Sequence, residues 1–305
     1  MNSRYSDIIA KDADIINRFL ENCAQLEISE NSPWERVLEA EKYALSAGGK
    51  RIRPVLAVEF YKLFSVKHEA EAFVYEAAAT LEMTHTFSLI HDDMPEMDDD
   101  DLRRGKPATH IKFGTDVGLL AGDGLAILPY EILSQMAIDG KITHEIAVKL
   151  ISILAGSAGN RGMIAGQMLD IWSEERFEYI DEAFLRKMSD LKTGCILTAS
   201  CLFGAALAGA DENQLKSAKI YAKNVGLAFQ IVDDVLDVTS DARTLGKPIG
   251  SDTKRKKSTF ADILGINGAM TEAKRLSVAA ANALYEYPES ELLREFALSL
   301  AERKN

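Results

Sequence analysis

Two aspartate-rich runs, roughly 140 residues apart in a 305-residue chain, hold the side chains best suited by type and spacing to chemistry. The first runs from His91 through Asp92, Asp93, Met94, Pro95, Glu96, Asp98, Asp99, Asp100 and Asp101 to Arg103, Arg104 and Gly105. The second is Phe229-Gln230-Ile231-Val232-Asp233-Asp234-Val235-Leu236-Asp237. Carboxylates this close repel one another and are normally kept together by a cation. Oxygen-only ligands select a hard ion such as Mg2+, which keeps several waters and bridges to phosphate oxygens. The two runs together read as a polynuclear Mg2+ site facing a diphosphate.

Spacing refines this reading. Asp233 and Asp237 are four apart and share a face of an unbroken helix, whereas Asp234 points aside. Asp92 and Asp98 are six apart, which a regular helix sends to different faces; a kink at Pro95 would reunite them. A solvated acidic helix end is the plainer explanation of either run alone. Acids at a helix C-terminus oppose the helix dipole, however, so two such placements are poor decoration. Basic stretches accompany them: Gly48-Gly49-Lys50-Arg51-Ile52-Arg53-Pro54, the pair Arg103 and Arg104, and Gly246 to Asp252 followed by Lys254-Arg255-Lys256-Lys257. Each alone reads as a solvated patch. Interleaved with candidate metal ligands, they supply what two diphosphates would need.

The elements that must position these groups are helices. Ala, Leu, Glu and Lys dominate, strict alternation of β-branched residues is scarce, and 47% of residues are hydrophobic. The fold class expected is all-α, a helical bundle around a deep central cavity, with residues 1–305 as a single domain because no linker divides them. Helices are expected over Ser3 to Glu27, Pro33 to Ala47, Ala70 to Ile90, Val117 to Ala137, Thr143 to Ala158, Leu215 to Asp237 and from Phe260 onward. Asp181 to Ala210 should hold two more, Gly166 to Ile171 a helix start, and Asp241 to Lys257 a loop. The formal charge of -12 argues against nonspecific nucleic-acid binding. Cys23, Cys195 and Cys201 are too few and odd in number for a disulfide framework, which fits a reducing cytoplasm. The N-terminus lacks the apolar core of a secretory signal. The longest uncharged run, Gly194 to Ala210, is too short to span a bilayer, so no membrane span is expected.

The motifs resemble those of the trans-isoprenyl diphosphate synthases, the polyprenyl synthetase family, and among them the bacterial-type farnesyl diphosphate synthases. The resemblance rests on residues 48–54, 85–95, 98–105, 166–170, 192–194 and 229–237, continuing through 245–247 to 257–259, in order along nearly the whole chain. It implies that Asp92, Asp93 and Asp98, with Asp233, Asp234 and Asp237, hold three Mg2+ ions around an allylic diphosphate. Lys50, Arg53 and His85, with Arg104 beside them, match residues binding isopentenyl diphosphate. Arg103, Lys192, Lys247 and Lys257 match contacts to the allylic diphosphate, with Lys256 a rival for the last. Thr193 and Gln230 match residues whose oxygens face the reacting carbon, and Gln167 and Asp170 fall in the cavity wall. Arg303 and Lys304 are candidates for closing over the homoallylic substrate. A homodimer is implied as well.

The implied reaction condenses isopentenyl diphosphate with dimethylallyl and then geranyl diphosphate to farnesyl diphosphate. Ionising the allylic carbon–oxygen bond loads negative charge on the departing diphosphate, where cations stabilise it. The carbocation left behind requires a dry apolar cavity with a few oxygen dipoles. Phe87 lies five residues before Asp92, about 7.5 Å lower on a helix, and could stop growth after two condensations. The small Ser88 beside it keeps a longer product open. A geranyl or geranylgeranyl diphosphate synthase is the near alternative; a terpene cyclase or a noncatalytic synthase subunit is more remote. The intact pair of aspartate motifs, with Lys50 and Arg53, counts against the last two.

Overall fold

The computed structural model describes residues 3–23, 32–174, 180–239 and 258–302. Among these the chain is almost wholly helical, as its composition predicts. Helix α1 spans Ser3–Cys23, α2 Glu35–Leu45, α3 Ile52–Phe64 and α4 Ala72–Asp92. A short hairpin, β1 (Leu102–Arg103) and β2 (Lys106–Pro107), precedes α5 (Thr109–Phe113), α6 (Thr115–Ile138), α7 (His144–Ala158) and α8 (Met163–Glu174). Then come α9 (Glu182–Ser189), a π-helical turn over Asp190–Gly194, α10 (Cys195–Leu207), α11 (Glu212–Thr239), α12 (Phe260–Ala283) and α13 (Glu291–Leu300).

Local chemistry sets several starts. The Thr143 hydroxyl accepts from Ile146 N ahead of α7, and the Asp181 carboxylate accepts from Phe184 N ahead of α9. Thr259 and Asp262 form a reciprocal capping box that starts α12. Helix α3 was not expected from the sequence. Nine of its residues, from Pro54 to Leu63, are buried, so it shows no amphipathic stripe. Gly166 to Ile171 lies inside α8 rather than at its start.

Helices α3 and α10 form the spine. Val55, Val58 and Tyr61 of α3, with Phe203 of α10, pack into a core shared with α1, α2, α4, α6 and α7. Leu56, Phe60 and Leu63, with Leu197 and Cys201, pack into a second core with α11, α12 and α13. Phe60 meets Tyr221 edge-on, centroids 5.3 Å apart. Fully burying such a side chain contributes roughly 1.5–3 kcal/mol. The two spine helices approach closely because Gly204 has no side chain; a Cβ there would strike Ala57 O and Tyr61 N.

Two helical runs, Thr115–Ile138 and Glu182–Leu207, are long and apolar enough to cross a membrane by length and composition, although uncharged runs alone suggested none. The first packs against α4 and α2, and 56% of the apolar window of the second is buried within the fold.

Candidate active site

A cavity of about 1040 Å3 opens between the spine and helices α4, α8 and α11, and both aspartate runs reach it. Asp92, in the last turn of α4, lines it from one side and Asp233 of α11 from the other. Past Asp92 the chain folds into a compact turn: Asp98 N donates to Asp92 O at 2.8 Å and Asp99 N to Met94 O at 3.0 Å. The kink at Pro95 therefore does return Asp98 to the side of Asp92. Burial raises the Asp92 carboxyl to about 6 despite the opposing pull of Lys192 and Arg103, with a smaller push from Asp98 and Asp170.

In each run the second aspartate turns into the scaffold. Asp93 is 2% exposed and receives the Arg103 guanidinium, with Nε at 2.9 Å from Oδ1. Burial works against the charge on Arg103, yet the hydrogen bonds and charge of Asp93 hold its pKa above the ordinary value. Asp234 is buried and accepts from Gln230 Nε2 and from Phe260 N, both at 2.9 Å. A carboxylate only accepts, so Gln230 must present its NH2 to Asp234 and its oxygen elsewhere. That oxygen accepts from the Thr193 hydroxyl at 3.2 Å. Asp237 follows Asp233 by one turn and is half-buried.

Cations gather beside the aspartates: Arg53 feels the charge of Asp233, and Arg104 that of Asp93. Lys50, Arg53, His85 and Arg104 all line the cavity. Arg53 Nε is buried with no hydrogen-bond partner among the described residues. Burial lowers the pKa of Arg53, and Arg104 lowers it further. Burial and four surrounding arginines likewise keep His85 far below its ordinary value, so its ring is neutral. The hairpin delivers Arg103 and Arg104 because its turn residues, Arg104 and Gly105, both take left-handed backbone angles. The Arg104 guanidinium covers Gly49 and donates to Gly48 O; a side chain at Gly49 would collide with it.

The π turn sits between α9 and α10. Its wider winding carries Lys192 and Thr193 into the cavity wall, a common device at functional sites. Lys192 Nζ donates to Asp170 of α8 at 2.5 Å, and Gln167 of the same helix lines the cavity. Gly166 permits this contact, since a Cβ there would fall on the backbone of Lys192.

Most of the remaining lining is apolar, including Phe87, Met163, Ile164, Met168, Ile196 and Leu197, with Ser88 beside Phe87 and His91 one turn on. Phe87 packs with Ala158, Met163 and Ile196 below the acidic mouth. Sequence reasoning had not singled out these α8 and α10 residues, nor Glu82, which also lines the cavity; an apolar helical stripe does not announce which cavity it faces. Lys247, Lys256, Lys257, Arg303 and Lys304 lie outside the described residues. Among the described residues, no three His, Cys, Asp or Glu side chains converge as a ready-made metal nest.

The sequence pattern of polyprenyl synthetases matches residues 35–289. This chain belongs to the polyprenyl synthetase family. The farnesyl diphosphate synthase of Haemophilus influenzae is 40% identical over 294 residues, 95% of each chain. The geranylgeranyl diphosphate synthase of Cyanophora paradoxa is 41% identical over 240 residues, 79% of this chain and 78% of its own. A crystal structure of the Helicobacter pylori geranyltransferase, complexed with magnesium and isoprenyl diphosphate, superposes with a TM-score of 0.82 at 30% identity, covering 99% of this chain and 98% of that one. The all-α architecture is that of isoprenoid synthases, and the chain is a prenyltransferase.

Proposed function

We propose that this prenyltransferase condenses isopentenyl diphosphate with dimethylallyl and then geranyl diphosphate to give farnesyl diphosphate. One observation carries the reading. Asp92 and Asp233, from distant helices, face one cavity whose lining also holds Lys50, Arg53, His85 and Arg104 together with a set of apolar side chains. Such a cavity offers carboxylates for metal-held diphosphate, a cationic cradle for metal-free diphosphate, and an apolar wall for hydrocarbon.

The donor set fits Mg2+. It is all oxygen, and the Asp92 carboxyl, raised by burial, is also repelled by Asp98 and Asp170, both effects that a bound cation would offset. The lack of a closed protein nest also fits an ion that keeps waters and completes its shell with substrate phosphate. Asp92, Asp98, Asp233 and Asp237 would hold the ions, three in number on the family pattern, with Asp93 and Asp234 fixing Arg103 and Gln230. When bound, Mg2+ neutralises charge on the allylic diphosphate as its carbon–oxygen bond breaks.

This chain's own groups do the rest. Lys192 and Arg103 add positive charge beside the leaving diphosphate, as Lys247 and Lys257 would from outside the described residues. Preorganised donors of this kind contribute on the order of 3 kcal/mol each. Gln230, oriented by Asp234, and Thr193 direct oxygen dipoles to the allylic carbon as it becomes cationic. Lys50, Arg53, Arg104 and neutral His85 hold the isopentenyl diphosphate so that its double bond meets that carbon. The departing diphosphate then takes the proton.

Phe87 in the cavity lining supports a C15 product, and the small Ser88 beside it supports a geranylgeranyl product as the second reading. We also read the chain as one cytoplasmic domain that acts as a homodimer, with the exposed Leu119, Leu120 and Ile127 of α6 as the face between copies. Incubation with Mg2+, isopentenyl and dimethylallyl diphosphates, followed by chromatographic product sizing, tests the whole reading. A C20 product overturns the farnesyl assignment, and no product overturns the reaction.

A further inference from the structure

The three cations of Lys50-Arg51-Ile52-Arg53 do not act alike. Arg51 is 3% exposed, and each nitrogen of its guanidinium has a protein partner on a different element. Nε donates to Asn17 Oδ1 of α1 at 2.8 Å, Nη1 to Glu82 Oε1 of α4 at 2.7 Å, and Nη2 to Leu45 O at the end of α2. The guanidinium and the Glu82 carboxylate are each 2% exposed, so the pair is dry.

The backbone of Arg51 is as informative as its side chain. Its φ is +48°, a left-handed conformation that residues with a Cβ avoid. Arg51 caps the start of α3, and its carbonyl accepts from Val55 N at 3.0 Å. Turning the chain left-handed here sends the Arg51 guanidinium to those three partners; Arg51 lines the cavity along with Lys50 and Arg53, but its guanidinium nitrogens are all engaged by protein. Glu82 lies one turn before His85 on α4, beneath the same cluster. Burial opposes the charge on Arg53 and on Arg104, and in both cases Glu82 is the strongest charge offsetting it.

We propose that Arg51, anchored by Glu82 and Asn17, is the positioning residue of the cationic cradle: it sets the turn that aims Lys50 and Arg53 at the homoallylic diphosphate and does not touch that substrate. This rests on the proposed reaction, in which those two side chains hold isopentenyl diphosphate.

The test uses the full chain with Arg51→Lys, Glu82→Gln, Asn17→Ala and the double variant of Arg51 and Asn17. Lysine keeps the charge but lacks the three-way fork. Arg51→Lys should raise KM for isopentenyl diphosphate about tenfold, the equivalent of one charge-assisted hydrogen bond. KM for the allylic diphosphate should move by no more than about twofold, because the residues that Arg51 aims, Lys50 and Arg53, are the ones proposed to hold the other substrate. Glu82→Gln should shift the same constant in the same direction. Among the described residues the hydrogen bond between Asn17 and the loop is the one that Arg51 donates, so Asn17→Ala should give a smaller rise in that KM, and none beyond the Arg51→Lys value in the double variant.

A merely structural role predicts a fall in kcat or in melting temperature with both KM values unmoved, which overturns the proposal. Direct contact between Arg51 and substrate predicts a silent Asn17→Ala, which also overturns it. If the Arg51 variants fail to fold, Asn17→Ala, at a half-buried surface position, still decides. A wild-type chain that makes no product overturns the reaction and this assignment with it, whereas active wild type with unmoved variants overturns this assignment alone.

Discussion

The Phe87 ring stands edge-on to the His91 ring, centroids 6.0 Å apart and planes at 73°, one helical turn below the acidic mouth. His91 is itself held: its Nε2 lies 3.2 Å from Leu119 O, and it occupies the space a side chain at Gly122 would need. Phe87 is therefore backed by a fixed neighbour. Phe87→Ala should open the floor and lengthen the product beyond C15, as read by chromatography of the dephosphorylated alcohols. Unchanged C15 output would remove Phe87 from the ruler.

The acidic mouth makes a separate prediction. Asp92→Asn and Asp233→Asn should each lower turnover about 10²–10³-fold, the range seen when one preorganised electrostatic group is lost. Chelating divalent ions should abolish condensation and added Mg2+ should restore it. Full turnover in excess chelator would contradict the metal-dependent reading.

Gly166 tests how closely α8 must approach the π turn. Any side chain there meets the backbone of Lys192. Gly166→Ala should displace Lys192 and cut kcat about tenfold or more, while circular dichroism still reports a helical fold. Wild-type kcat in the folded variant would show that the placement of Lys192 tolerates movement.

Stability should also depend on pH through Glu41, which does not line the cavity. Glu41 is 5% exposed, its carboxylate lies against Gly124 of α6, and burial raises its carboxyl to about 7. A carboxyl whose folded pKa exceeds its unfolded value near 4.5 binds more protons folded, so its contribution to stability declines as pH rises from about 4.5 to about 7. Glu41→Gln removes this cost. Urea titrations should show the variant gaining on wild type between about pH 4.5 and about pH 7. A gap that narrows with rising pH would refute it.

Much of the site could be read from residue types. The four-residue spacing of Asp233 and Asp237 and the sideways turn of Asp234 follow from helix geometry alone, and Pro95 foretold the end of α4. Tertiary context hid the rest. Arg51 reads like Lys50 and Arg53 until the left-handed turn separates them. Helix α3 is masked because burial on nearly every side erases periodicity. The π turn has no composition of its own, and the hairpin carrying Arg103 and Arg104 is too short for strand alternation.

The apolar lining has a kinetic corollary for the proposed reaction. Each five-carbon addition takes more hydrocarbon out of water against Met163, Ile196 and Leu197, and burial contributes about 0.8 kcal/mol per methylene. A half-built chain thus dwells longer than the starter unit, which favours processive synthesis over release of the C10 intermediate. The same grip slows departure of the finished molecule, so turnover at saturation is set by egress, and mild detergent should speed it.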